Sequence, residues 1–296
     1  MDPVEVRFPS DGIELVGHLR VPAASGAPAV VFTGPLSGVK EQVTGTYADR
    51  LAEAGYVTLA FDHRNFGESG GEPRQHEDAT GKLTDLQDAV SYLAARPEVD
   101  RTRIGACGIC LGGGYALRFA AFEPRVKALV CVAGGYNDPA AMRDGMGADR
   151  YRQMLAGFSE AAERRFTTGE VEYLPAVAPD GGDAVMGGRE PFDYYGTERS
   201  ASPGWVNRLA RLSIRELVTV DLACGADFIS PTPFLLVHGR TDAYCSPEGA
   251  QAIFDRAGDP KEILWLDTTN HIDLYDGPQF VGPAVEAAAD WFRRYL

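Results

Sequence analysis

Lysine is scarce in this chain. Four lysines (Lys40, Lys82, Lys127, Lys261) stand among 296 residues, and arginine supplies the other basic groups. Basic groups of both kinds number 28 against 42 acidic ones, a net charge of −14. That deficit excludes a nucleic-acid backbone as the main partner, because phosphate recognition needs a basic face. It also argues against an anionic membrane surface. Long apolar runs are missing as well: no stretch approaches the roughly 18 residues of a membrane helix. The opening residues, Met1-Asp2-Pro3-Val4-Glu5-Val6-Arg7, lack the basic and apolar regions of a signal peptide. Cysteine is sparse and odd in number: Cys107, Cys110, Cys131, Cys224 and Cys245. A chain of this length needs no disulfide staples, so a reduced cytoplasmic setting is expected. At least one thiol is then left for other work.

What is present is an ordinary globular mixture, 45% hydrophobic and 24% charged, which rules out wholesale disorder. The length allows two domains, or one domain interrupted by an insertion. Over the first 135 residues short apolar strands alternate with helical patterns. Residues 4–8 and 13–21 read as strands about the Asp11-Gly12 turn, and 29–32, 56–61, 103–108 and 126–132 as further strands. Helices are predicted at 47–54 and 82–95, the second from a stripe of Leu83, Leu86, Val90 and Leu93. This rhythm predicts an α/β fold: a mostly parallel sheet with helices on both faces. It stops near Gly135 and resumes at 232–238, followed by a helix at 246–257, a strand at 262–266 and a helix at 281–296. The expected division is therefore a core of 1–135 and 231–296, with 136–230 as an inserted helical lid. Within the lid, helices are predicted at 140–158, 160–166 and 203–217, and a loop at 175–191.

The informative peptide is Gly105-Ala106-Cys107-Gly108-Ile109-Cys110-Leu111-Gly112-Gly113-Gly114. Cys110 occupies the centre of G-x-C-x-G between a strand and a helix. The nucleophile elbow is G-x-S-x-G in that same setting. A sharp strand-to-helix turn forces strained backbone angles on the central residue, and crowding forbids a Cβ two residues away on either side. The helix N-terminus beneath the side chain lowers a thiol pKa. Cys107 and Cys131 fall inside strands and read as core; Cys224 and Cys245 have no assigned role. With the chain order nucleophile, acid, base, His271 follows the last strand and is the candidate base. Asp242, 29 residues earlier and just after the preceding strand, is the candidate orienting acid. Oxyanion donors are expected from the amides of Leu111 and Leu36, because Pro35 has no N–H.

Other motifs are weak. There is no phosphate loop and no dinucleotide fingerprint. Cys107-Gly108-Ile109-Cys110 has C-x-x-C spacing, but no second pair or histidine cluster accompanies it. No cofactor and no metal are expected. In the lid, Tyr194, Tyr195 and Trp205 are candidates to line an acyl pocket, or are the lid's own core. Its arginines (Arg143, Arg150, Arg152, Arg164, Arg165, Arg208, Arg211, Arg215) either face an acidic partner or form a solvated face.

With these residues in view, the chain resembles the α/β-hydrolases over about two hundred residues outside the insertion. Within them it is similar to dienelactone-hydrolase-like proteins, whose Cys-Asp-His triad Cys110, Asp242 and His271 match. It departs from dienelactone hydrolase at Pro35, where that enzyme carries a glutamate. A narrower resemblance is to the Cys-type Dieckmann cyclases, which share the Cys triad, the helical lid, the size and an Ala/Gly/Arg-rich composition. That resemblance implies a small-molecule acyl substrate presented on an acyl or peptidyl carrier protein and released as a tetramic acid or pyridone. Two other functions fit the same residues: hydrolysis of an ester, lactone or thioester, and ligand binding without turnover.

Overall fold

The computed structural model describes residues 1–23, 25–180 and 182–296. In chain order the elements are β1 (Val4–Ser10), β2 (Ile13–Arg20), β3 (Ala27–Thr33), α1 (Val43–Glu53), β4 (Val57–Phe61), α2 (Ala79–Ala94), β5 (Val99–Ile109), α3 (Leu111–Ala120) and β6 (Val126–Val132). The segment between β6 and the next sheet strand carries α4 (Pro139–Met146), α5 (Ala148–Thr168), β7 (Tyr173–Leu174), α6 (Arg189–Tyr195), β8 (Leu209–Ala210), α7 (Leu212–Thr219) and α8 (Gly225–Phe228). The chain then closes with β9 (Phe234–Gly239), α9 (Pro247–Arg256), β10 (Lys261–Leu266), α10 (Asp273–Asp276) and α11 (Pro278–Tyr295).

Eight strands form one sheet in the order β1-β2-β4-β3-β5-β6-β9-β10. β2 runs antiparallel to both β1 and β4, and the remaining pairs are parallel. β1 and β2 are joined at Asp11 and Gly12, both at positive φ, as a tight two-residue hairpin requires. The central strands are apolar on both faces because both are covered. In β3, Ala29 and Val31 join a core with α2 and α3, while Val30 and Phe32 join a core with α1 and α11. Trp291, Tyr47 and Phe292 fill the second core and are fully buried.

The parallel register brings strand ends to one edge. Thr33 of β3 lies opposite Gly108 of β5, Ile109 opposite Val132 of β6, Val132 opposite Val237 of β9, and Gly239 opposite Leu266 of β10. The loops that follow these strands therefore share one rim, where ligands of open α/β sheets bind.

Two helices of the 136–230 segment differ from expectation. The break in 140–166 falls at Gly147, where φ is +86°, and α5 then runs without interruption to Gly169, an αL cap at φ +76°. Ser159 is no breaker there; its hydroxyl donates to the Leu155 carbonyl inside the helix. The helix predicted at 203–217 is confined to α7. Asn207 exchanges two hydrogen bonds with the Val177 backbone (2.9 and 3.1 Å), and Leu209–Ala210 pairs with Tyr173–Leu174. That pairing between distant segments of the chain outweighs local helix propensity.

Candidate active site

The site starts at the end of β5. Cys110 adopts φ +56° and ψ −127°, between strand and helix, and caps α3. Its neighbours show why glycine is required. A Cβ on Gly108 would stand 2.3 Å from the Gly112 carbonyl oxygen, and a Cβ on Gly112 would stand 2.3 Å from the Thr33 carbonyl oxygen. The Cys110 N–H donates to Val132, and its carbonyl accepts from Gly113 and Gly135. The strained backbone is thus held from both sides.

The loop after β9 carries Asp242 and the loop after β10 carries His271, both buried. His271 Nδ1 lies 2.6 Å from Asp242 Oδ2. Asp242 Oδ1 accepts the amides of Tyr244 and Cys245, each at 2.8 Å. Burial pushes the Asp242 carboxyl up, but His271 and these amides outweigh it and hold it below its usual range. His271 Nε2 lies 3.0 Å from the Tyr275 hydroxyl. Cys110 Sγ, Cys245 Sγ and a His271 ring nitrogen all lie within 4.8 Å of one another. The Cys110 thiol is brought well below its ordinary value by a hydrogen bond from Cys245, against burial, and by the charge of His271. For His271, burial alone would lower the pKa, yet the Cys110 thiolate and Asp242 raise it to about 10. The two shifts share one contribution: a thiolate and an imidazolium stabilise each other.

A cavity of about 250 Å³ opens over Cys110. Leu36 and Leu111 both line it, and neither amide has a protein acceptor among the described residues. The oxyanion-side loop is held by Ser37 at φ +59° and by a Gly38 N–H donated to Pro35. Met186, Pro191 and Tyr195 of the 136–230 segment line the opposite wall, with Tyr275 and Ile272 of the core. Of the three aromatics singled out in the sequence, Tyr195 faces the cavity while Tyr194 and Trp205 pack behind it. Trp205 stacks on Tyr195 at 5.6 Å, and Tyr194 meets Tyr275 edge-on at 5.1 Å. The Tyr195 hydroxyl is buried with no hydrogen-bond partner among the described residues. Glu190 ties the segment to the His271 loop by accepting the Ile272 N–H at 3.0 Å. Arg199 adds a two-pronged bond to Asp276.

The other conspicuous histidines stand elsewhere. His63 is buried against Asp85 (3.3 Å) and Thr33 (2.9 Å), and His238 bonds the Gly239 carbonyl. Of the segment's arginines, Arg143, Arg164 and Arg211 pair with local carboxylates, and Arg208 covers the Tyr173 ring. The residue that sequence reasoning missed is Cys245, whose Sγ lies 4.0 Å from Cys110 Sγ. Its signal was position: it follows Asp242 by three residues, so any loop that delivers Asp242 to the site delivers Cys245 as well.

A parallel sheet with an antiparallel second strand, and an elbow cysteine beside a histidine and an acid from later loops, define an α/β-hydrolase fold. The chain belongs to the serine aminopeptidase S33 family, whose model matches residues 36–276. The family's name specifies serine; this chain carries Cys110 at the elbow. It is similar to protein PA2218 of Pseudomonas aeruginosa, with 35% identity over 286 residues, 90% of this chain and 73% of that protein. The crystal structure of PA2218 superposes with a TM-score of 0.89 over 99% of this chain and 93% of that one, at 32% identity. It is also similar to the polyketide transferase GrgF of a Penicillium species, with 28% identity over 97% of this chain and 94% of that protein. The GrgF crystal structure superposes with a TM-score of 0.85 over 100% of this chain and 99% of that one. The thiohydrolase aneE of Aspergillus aculeatus is 29% identical over 94% of this chain and 89% of that protein. These likenesses support acyl transfer or hydrolysis as the class of activity.

Proposed function

We propose that Cys110 takes an acyl group from a thioester and that the enzyme passes it to a nucleophile other than water. The observation that carries the reading is the thiolate-favouring elbow of Cys110 beside a His271 held by Asp242 at 2.6 Å. Cys110 attacks the carbonyl carbon, the amides of Leu36 and Leu111 receive the oxyanion, and His271 protonates the departing thiolate. Asp242 keeps the imidazole oriented and stabilises its charge. An acyl–Cys110 thioester is less resonance-stabilised than the ester of a serine enzyme, and it accepts carbon nucleophiles more readily. The specific chemistry proposed is a Dieckmann cyclisation. The carbon between a ketone and an amide of the bound chain loses a proton to His271. It then attacks the thioester carbonyl, and the Cys110 thiolate leaves. Proximity favours the internal attack, and the 136–230 segment over the cavity limits water. The product is a tetramic acid or pyridone, and the donor is a polyketide–amino acid chain on a carrier protein. The likeness to GrgF supports a polyketide-type acyl chain; the likeness to aneE favours hydrolysis as the second reading.

The test is mass spectrometry on a panel of acyl and 3-oxoacyl-aminoacyl thioesters. An acyl adduct that maps to Cys110 and disappears in Cys110→Ala is expected. Product that has lost the thiol without gaining water supports cyclisation, and gain of water supports the second reading. Turnover that survives Cys110→Ala overturns both.

A further inference from the structure

Cys245 forms no bond to the acyl group in the reaction proposed above, yet its sulfur sits beside the nucleophile and inside the cavity wall. Two thiols this close invite two chemistries, and distance separates them. A disulfide requires its sulfurs about 2.05 Å apart, so the 4.0 Å pair would have to close by roughly half its separation. A tetrahedral zinc ion holds each thiolate at about 2.3 Å, which places two sulfurs about 3.8 Å from each other. The observed 4.0 Å is nearly that spacing. The third donor is in place as well: a His271 nitrogen lies within 4.8 Å of both sulfurs. Nδ1 is engaged by Asp242 at 2.6 Å, so the donor to a metal is Nε2, which would exchange its 3.0 Å contact with the Tyr275 hydroxyl for the cation. A ligating histidine whose other nitrogen bonds a carboxylate is the usual outer-shell arrangement of zinc sites. Two sulfurs and one imidazole nitrogen also suit a thiophilic cation better than magnesium or calcium.

We propose that Cys110, Cys245 and His271 Nε2 form a three-ligand site for a thiophilic divalent cation of the zinc type, and that its occupancy reversibly shuts the enzyme off. Cys110 is already thiolate, so binding displaces two protons to solvent, one from the Cys245 sulfur and one from Nε2, and no electron is transferred. The fourth position faces the cavity and falls to a water molecule. With Cys110 and His271 both engaged, no nucleophile and no proton donor remain. The shut-off rests on the reading of Cys110 as nucleophile; the metal binding does not.

The experiment therefore reads binding and turnover separately on the full chain. The background is Cys224→Ser, which removes the remaining half-exposed thiol. Cobalt(II) titrated into metal-free protein should give a thiolate-to-metal charge-transfer band at one equivalent, displaced by zinc. The band should weaken to about half in Cys245→Ala and in Cys110→Ala. Thioester turnover, referred to each variant's own metal-free rate, should need at least tenfold more zinc for half inhibition in Cys245→Ala, and a chelator should restore it. Cys245→Ser, which preserves size and a hydrogen bond, should behave like Cys245→Ala toward zinc. No charge-transfer band, or zinc inhibition unchanged by both Cys245 substitutions, overturns the site. A full band in a protein that turns over no thioester leaves the metal site standing and overturns the acyl-transfer reading instead.

Discussion

The thiolate–imidazolium pair can be tested without knowing the substrate, through the rate at which iodoacetamide alkylates Cys110. An ordinary thiol with a pKa near 8.5 is only about 0.3% ionised at pH 6. If Cys110 is already thiolate there, its reactive fraction is larger by up to about 300-fold. Part of that gain is lost, because nucleophilicity falls by about half a log unit for each unit the thiol pKa drops. The net expectation is an acceleration on the order of tenfold at pH 6 for the native chain over His271→Ala. The pH profile carries the sharper signature. The Cys110 thiol lies well below its ordinary value, so native alkylation should be nearly flat from pH 6 to 9. In His271→Ala it should climb by about tenfold per pH unit and overtake the native rate on the alkaline side. Turnover follows a different upper limit: in the proposed mechanism the free enzyme needs a protonated His271, so kcat/KM should fall as pH rises through about 10. Intact mass counts the adducts. One is expected at pH 6, because the Cys245 thiol is pushed up by its hydrogen bond to Cys110 and by burial. Equal rates for native and His271→Ala protein at pH 6 would refute the ion pair, and so would a native profile of unit slope up to pH 8.

Three further outcomes follow from the packing. Gly112→Ala places a Cβ 2.3 Å from the Thr33 carbonyl oxygen, a backbone atom that cannot step aside. A loss of about 2–4 kcal/mol in urea unfolding is expected, and a loss below about 0.5 kcal/mol would mean that the elbow is looser than described. Asp85 is buried beneath Ser10, Arg64 and His63. Burial would raise its carboxyl, but His63 and Arg64 outweigh that and bring it to about 2. Its folded pKa is therefore depressed: its stabilisation is present above the unfolded value near 4, and is lost as pH falls toward 2. The unfolding free energy should drop by about 2 kcal/mol over that window beyond the drop in Asp85→Asn, and parallel curves for the two proteins would contradict it. Tyr195→Phe removes a buried hydroxyl that has no partner among the described residues. It should cost no stability, and should lower kcat/KM only for acyl chains that carry a hydrogen-bond acceptor near the thioester. A uniform loss across plain and oxidised chains would assign the hydroxyl a structural partner instead.

Local patterns made much of the core legible. The strands at 29–32 and 126–132, the helix over 82–95 and the final helix all read correctly to within a few residues, because burial on two faces writes long apolar runs and 3.6-residue stripes. The elbow was legible for a different reason: its G-x-C-x-G signature lies within five residues of chain, although the crowding at Gly112 comes from Thr33 at the end of β3. His271 and Asp242 could be picked out by chain order, and the structure brings them within 2.6 Å of each other. The segment 136–230 was read less well. Asn207 and Leu209–Ala210 take their conformation from partners about 30 residues away, and a window along the chain cannot contain both sides of that pairing.

Composition and charge alone set aside nucleic acid and anionic membranes, and one peptide pointed to cysteine chemistry at a strand-to-helix turn. Those readings are within reach of the sequence because they depend on totals or on neighbours along the chain. Tertiary structure alone decided which of three aromatics reaches the cavity, which histidines are excluded from it, and that a second thiol stands 4.0 Å from the first. Cys110 and Cys245 are separated by 135 residues. Their meeting is decided where the loops after β5 and β9 come to the same rim of one parallel sheet, a distance that folding sets and spacing in sequence does not record.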